Sequence, residues 1–351
     1  MSDDGELKTR IAELISRDGP MPVSLYMMIC LHDPRAGYYA TRAAFNRDFT
    51  TAPETSQVFG ELLGVWTGIQ WTHMGLPKKL NLIEMGPGRG TMMKDMLRMV
   101  RMFPRLSEAL DVTLVEASPL LREEQKRTLE GHQIRHVESI DDAPPGPAII
   151  LGNEFLDCLP INQFVRASGA WRERQVGLNA KRELVFGLSP RVEPPPGLSS
   201  TGDEIEHAPA LELLIDKLTR RFSTDPGRAL FIDYGPAMGS PTDTLRAYSR
   251  GRQVHPLSDP GGSDLTADVD FARLAGLARA AKLHVDGPLA QGSLLTKLGA
   301  GIREKVLGDA NPARAHDVSA AVATLVSPDQ MGERFKAIAI SAPSLGPAQG
   351  F

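Results

Sequence analysis

The segment from Leu80 to Thr91, LNLIEMGPGRGT, constrains the fold more than any other part of the chain. An apolar run with the character of a buried parallel strand ends on the acidic residue Glu84. It passes directly into glycines at alternate positions, Gly86, Gly88 and Gly90, and a helical pattern follows from Met92 to Met102. A strand, a tight glycine turn and a helix start form the arrangement that lets a backbone approach a nucleotide-like cofactor closely.

The spacing selects the cofactor. A dinucleotide fingerprint needs Gly-x-Gly-x-x-Gly. Here the third glycine arrives one residue early, and Thr91 stands where the pyrophosphate loop requires glycine. A carboxylate at Glu84 would also repel a pyrophosphate. It suits S-adenosylmethionine, which carries an ammonium and a sulfonium and no phosphate. A second apolar run, Val112 to Glu116, also closes on an acid. An acid at the end of the second strand of a doubly wound sheet holds ribose hydroxyls. The gap from Gly90 exceeds the usual ~20 residues, which the intervening helical segment absorbs.

Further strand candidates are Ile134 to Val137, Ala148 to Gly152, Ala229 to Tyr234, Lys282 to Val285 and Phe335 to Ile340, with helical patterns at Pro209 to Phe222 and Phe271 to Ala281. Strands alternating with helices imply an α/β, doubly wound, mainly parallel seven-stranded sheet. Ahead of it, residues 6–18, Val23 to Leu31 (with Ser24 as a candidate cap) and Ser56 to Met74 read as helices. The expected organisation is an N-terminal helical extension or lid at 1–76, a cofactor-binding α/β core at 77–160, an insertion with a hairpin and a helix at 161–226, and the rest of the core with a substrate loop at 227–351. The hairpin pairs Ile161 to Arg166 with Trp171 to Val176 around Ser168-Gly169.

Composition excludes several classes. With 39 Lys plus Arg against 43 Asp plus Glu, no basic excess points to nucleic acid. No apolar run reaches the ~18 residues of a spanning helix. Cys30 and Cys158 lie far apart without metal-ligand spacing, which fits a reducing compartment. The acidic start lacks the basic character of a targeting segment, so a cytoplasmic protein is expected.

The run from Ile149 to Pro160 carries a second cluster of chemistry. The fourth strand of a doubly wound sheet ends beside the cofactor crevice, and Asn153, Glu154 and Asp157 fall immediately beyond it. If Glu154 to Leu159 opens a helical turn, the two acids share a face. Paired carboxylates can bind a guanidinium and take up its proton. Acids in a first helical turn also stabilise the helix without any further role. The loop from Gln253 to Phe271 is dense in turn formers and acids. Asp264, Asp268 and Asp270 lack the glycine and terminal Glu of a calcium loop, so no metal is expected. Ser263, Thr266 or Asp270 could cap the next helix. His255 is a candidate substrate contact, although a lone loop histidine is more often structural.

Taken together, the segments at 19–23, 37–39, 48–54, 57–61, 84–90, 152–157 and 264–271 resemble the MidA family of class I S-adenosylmethionine-dependent methyltransferases, in order, over about residues 10–340. The resemblance implies a Rossmann-like fold and methylation of a protein arginine. Mitochondrial members symmetrically dimethylate the 49-kDa quinone-side subunit of respiratory complex I, so a subunit of that type, or an assembly intermediate, is the implied partner. On this reading Glu84, Gly86, Pro87, Gly88 and Gly90 seat the methionine moiety and Glu116 the ribose. Thr50, Thr51, Pro53 and Gln57 belong to the segment that closes over the cofactor. Asn153, Glu154 and Asp157 are the catalytic group, and His255, Asp264 and Asp268 contact substrate. A small-molecule methyltransferase and a non-catalytic assembly factor remain the alternatives, and the glycine spacing leaves a nicotinamide dehydrogenase last.

Overall fold

A computed structural model describes residues 5–41, 51–198, 202–240 and 242–351. The chain divides into two compact units, one formed by Thr50–Leu156, Leu214–Ala237 and Phe271–Phe351, the other by Met1–Phe49, Asp157–Leu213 and Met238–Asp270.

The larger unit holds a seven-stranded sheet with strands β1 (Leu80–Met85), β2 (Leu110–Val115), β3 (Ile134–Val137), β4 (Ala148–Asn153), β5 (Gly227–Tyr234), β6 (His284–Ala290) and β7 (Phe335–Ser341). Their spatial order is β6-β7-β5-β4-β1-β2-β3. The pairs β1/β2, β1/β4, β2/β3 and β4/β5 are parallel, and β7 runs antiparallel to both β5 and β6. Every residue of β1, β5 and β7 is buried, as expected of a sheet covered on both faces. The strand order reverses at β1, which pairs with β2 on one side and β4 on the other. Ligands of open α/β sheets bind beyond the carboxyl ends of the strands at such a point.

Helix Gln57–His73 packs on helix Thr91–Val100 through a notch made by two glycines. A Cβ at Gly60 would lie 2.8 Å from the Asp95 Cβ and the Met92 carbonyl, and one at Gly64 would lie 2.7 Å from the Met96 carbonyl. The close approach fixes the helix that follows the glycine loop. Beside it the fully buried Glu61 carboxylate takes both Arg303 donors at 2.7 and 2.8 Å and Arg98 at 3.2 Å. Burial lifts the nearby Asp95 carboxyl to about 6, against the opposing pull of Arg98.

The smaller unit contains an antiparallel sheet of Met21–Pro22, Asn162–Ala167, Ala170–Leu178, Leu184–Arg191 and Glu204–His207. Its core gathers Leu7, Ile11 and Ile15 of helix Glu6–Asp18 with Tyr26, Met27 and Leu31 of helix Val23–His32, and with Val176 and Leu265. The hairpin turns at Ser168 (φ 52°) and Gly169 (φ 77°), the two positive angles of a type I′ turn that matches strand twist. A small sheet joins Arg246–Ser249 to Arg252–Val254 and Asp264–Thr266.

Several local expectations are corrected. Residues from Glu154 to Leu159 form no helix: the chain leaves β4 through Glu154 in a left-handed conformation (φ 49°). Ser24 caps nothing. Helix Val23–His32 begins after Pro22, whose fixed φ starts the turn, and has no side-chain cap. The 253–271 loop contains strand Asp264–Thr266, since its alternate residues find a partner strand in Arg246–Ser249. Ser263 does not cap the helix at Phe271, because its buried hydroxyl makes no hydrogen bond. Helices Gln291–Lys297, Ala300–Ala310 and Ala315–Val326 and strand Leu184–Arg191 were absent from the sequence reading. Among the described residues no helix is long and apolar enough to cross a membrane, and no group of three His, Cys, Asp or Glu could hold a metal ion.

Candidate active site

The glycine loop needs its glycines at all three positions. Gly86, Gly88 and Gly90 have φ of 63°, 51° and 82°, angles that L side chains adopt at a cost. Gly90 donates its N–H to the Pro87 carbonyl at 2.8 Å and caps helix Thr91–Val100. At Gly86 an added Cβ would press on the Phe155 ring at 3.0 Å, whereas at Gly88 it would meet no protein atom within 4 Å. The loop therefore leaves open space in front of Gly88.

Glu84 lies beneath this loop, 3% exposed. Its Oε2 is buried and has no hydrogen-bond partner, and burial pushes its carboxyl up to about 8. A buried carboxylate with an unused oxygen is costly by itself and is relieved by a cation. The ammonium of a methionine moiety is a cation of that kind, so the residues present fit S-adenosylmethionine.

Glu116 follows β2. Its Oε1 accepts the Ser118 N–H at 2.8 Å and its Oε2 the Gln125 amide at 3.3 Å. Burial raises this carboxyl, and the same two hydrogen bonds oppose the rise. Each oxygen retains lone-pair capacity for a ribose hydroxyl.

The tip of β4 supplies the polar groups next to the loop. Asn153 donates to Glu154 Oε1 at 3.0 Å, and Ala52 N–H donates to the same oxygen at 3.2 Å. The Asn153 Oδ1 is buried without a partner. Two backbone anchors hold Glu154 in its strained conformation. Its own N–H donates to the Ile232 carbonyl at 2.9 Å, and Leu156 N–H donates to Asp233 at 2.8 Å. A non-glycine residue at positive φ that is pinned from both sides marks stored strain of the kind found at functional sites.

Of the segment expected to close over the cofactor, Thr50 lies outside the described residues. Thr51 precedes the short helix Ala52–Thr55, and its carbonyl accepts the Thr55 N–H and hydroxyl. Pro53 sits half-buried in that helix. Gln57 is exposed and donates to Glu61 at 3.2 Å. The sequence reading missed Glu54, which accepts the Thr91 hydroxyl at 2.5 Å and pairs with Arg89 at 3.8 Å. It also missed Asp233, Gln125 and the Arg89–Glu124 pair at 3.2 Å.

The smaller unit carries the remaining candidates. Asp157 accepts the Thr266 hydroxyl at 2.8 Å. Asp264, 4% exposed, accepts the Tyr39 hydroxyl at 3.1 Å, and burial followed by the Asp264 charge pushes that phenol well above its ordinary value. Asp268 pairs with Arg246 at 3.1 Å. His255 is exposed, accepts the Leu257 N–H at 3.2 Å within its own turn, and stacks obliquely on Phe186. Asp157 and Glu154, expected to share one helical face, fall in different units, and no helix spans them.

The strand order, the loop of left-handed glycines and the two strand-end acids define a class I S-adenosylmethionine-dependent methyltransferase. A family model described as "Putative S-adenosyl-L-methionine-dependent methyltransferase" matches residues 62–289. The mitochondrial protein arginine methyltransferase NDUFAF7 homolog of Drosophila melanogaster is 34% identical over 97% of this chain and 85% of its own. The mitochondrial protein arginine methyltransferase NDUFAF7 of Homo sapiens is 34% identical, covering 93% and 81%. A crystal structure from Burkholderia thailandensis bound to S-adenosyl-homocysteine shares the fold with a TM-score of 0.85 at 24% identity, covering 99% of this chain and 95% of that one. The chain belongs to the MidA family of S-adenosylmethionine-dependent methyltransferases. The comparisons overturn the expectation of a cytoplasmic protein, since both of these curated relatives are mitochondrial. A low cysteine count reports a reducing environment and does not choose among compartments that share one.

Proposed function

We propose that this methyltransferase acts on arginine side chains of a protein, by symmetric dimethylation, and that its acceptor is the 49-kDa-type quinone-side subunit of respiratory complex I or an assembly intermediate containing it. The curated relatives named as protein arginine methyltransferases support the acceptor chemistry, and the subunit follows from the family resemblance. The observation that carries the reading is the tip of β4, where strained Glu154 and the unpartnered Asn153 Oδ1 follow Gly152, the register partner of Met85 at the entry to the glycine loop.

When bound, S-adenosylmethionine supplies an electrophilic methyl group on its sulfonium. Glu84 would hold the ammonium end and Glu116 the ribose hydroxyls. Asn153 Oδ1 accepts an acceptor N–H, and Glu154 orients the guanidinium. Arginine is protonated at any physiological pH, so moving the methyl group from the sulfonium sulfur to a guanidinium nitrogen, with S-adenosylhomocysteine as the leaving group, would require loss of a proton, which Glu154 would receive.

The test is methyl transfer to peptides of the quinone-side subunit, read by mass spectrometry. The arginine peptide is expected to gain two methyl groups on opposite guanidinium nitrogens. Its lysine variant should gain none, because an ammonium cannot make paired contacts. Equal labelling of the lysine peptide would remove the guanidinium assignment. Labelling confined to a small metabolite would remove the protein acceptor.

A further inference from the structure

Gln125, on helix Pro119–Thr128, is fully buried and lies 37 residues beyond Gly88 in the chain. Its side-chain amide donates one hydrogen to the Gly88 carbonyl at 2.7 Å and the other to Glu116 Oε2 at 3.3 Å. Both acceptors lack a hydrogen to give, so the orientation of the amide is determined: the nitrogen faces the loop and the acid, and Oε1 faces away. Oε1 stands 2.9 Å from His136 Nε2, in β3. Because Oε1 can only accept, His136 must carry its proton on Nε2. Burial, with the charges of Arg122 and Lys126, holds this imidazole below its ordinary value, toward the neutral form. The carbons of Gln125 also line the loop, since a Cβ at Gly90 would lie 3.5 Å from its Cγ.

We propose that Gln125 is a positioning residue for the cofactor, and that the chain Gly88–Gln125–Glu116, locked by His136, sets the distance between the methionine-binding loop and the ribose-binding acid. One amide ties together the two elements that grip opposite halves of the same ligand. Both must be correctly placed at once for the ligand to gain from either, so the amide couples them. This inference rests on the assignment of Glu116 to the ribose.

The test measures S-adenosylhomocysteine binding by calorimetry, alongside thermal unfolding, for Gln125→Leu, Glu116→Ala and the double variant. Gln125→Leu is expected to weaken binding about 10- to 100-fold, the range for lost hydrogen bonds to charged and loop groups. In the Glu116→Ala background the same change should cost at least several-fold less, because the amide then has no acid to place. Gln125→Glu supplies a second readout in a near-isosteric side chain. A carboxylate there faces Glu116 and the Gly88 carbonyl, with His136, Arg122, Lys126, Glu123 and Glu124 as the surrounding ionisable groups. Its binding deficit relative to the unaltered protein should therefore be largest near pH 8 and shrink toward pH 5.5, where a proton shared with Glu116 restores a donor. A purely structural glutamine would lower the melting temperature and give a deficit independent of pH. That result, or a Gln125→Leu penalty equal in both backgrounds, would overturn the proposal. If Glu116→Ala alone leaves binding unchanged, the ribose assignment fails instead.

Discussion

Glu84 beside the glycine loop and the three acids singled out in the smaller unit are treated in opposite ways. In the larger unit, polar atoms near the glycine loop are left with unused capacity: Glu84 Oε2 and Asn153 Oδ1 are buried and unpartnered, and the space before Gly88 is open. In the smaller unit the acids singled out by sequence are held by protein donors, Asp157 by Thr266, Asp264 by Tyr39 and Asp268 by Arg246. Buried polar groups are ordinarily satisfied. Incomplete hydrogen bonding beside the glycine loop points to ligand binding there, whereas the three acids of the smaller unit already have protein donors.

Four substitutions put this contrast to the test. The largest effect is expected at Gly88→Val, which adds a β-branched side chain at φ 51° and fills the open space. Calorimetry should register no S-adenosylhomocysteine binding while the circular dichroism of the fold persists; retained binding would show that the space is not the ligand's. Next is Glu154→Gln, expected to lower the methylation rate about 10²- to 10⁴-fold while cofactor affinity stays within about twofold of the unaltered protein. Loss of the cofactor with a normal saturated rate would move Glu154 from the acceptor to the cofactor.

Glu84→Gln should weaken cofactor binding about 100-fold, the value of a lost charge-assisted hydrogen bond. It also has a ligand-free signature. The folded-state carboxyl titrates near 8, above an unfolded value of about 4.3. A raised carboxyl favours the folded state fully below the unfolded value, and that contribution is lost as pH rises toward 8. Urea unfolding of the ligand-free protein should therefore show stability falling between about pH 4.5 and 8 by an amount on the order of a few kcal/mol relative to Glu84→Gln. Parallel pH curves for the two proteins would mean that Glu84 is not desolvated. The smallest effect is expected at His255→Ala. The ring is exposed and bonded within its own turn, so stability should change by less than ~0.5 kcal/mol and kcat/KM should hold. A clear fall in kcat/KM would bring the smaller unit into direct contact with substrate.

The α/β sheet, its seven strands and the glycine loop are legible in the residues alone, because each rests on local rules. Apolar runs must be buried, alternate glycines are needed at positive φ, and an acid closing a strand stands at its carboxyl end. Glu84 and Glu116 were legible for that reason. The helix expected after β4 was not decided locally. The carboxylate of Asp233 and the carbonyl of Ile232, about 80 residues away, capture two backbone N–H groups and turn the chain out through a left-handed Glu154. Gln125 gave no signal, since a glutamine on an amphipathic helix reads as solvated until β3 and the glycine loop are folded around it. Tyr39 and Asp264 are likewise joined only by the fold, across 225 residues. Periodicity records which groups must leave water. Which buried polar groups then meet, and which are left for a ligand, depends on hydrogen bonds between distant segments, and only the tertiary structure sets those.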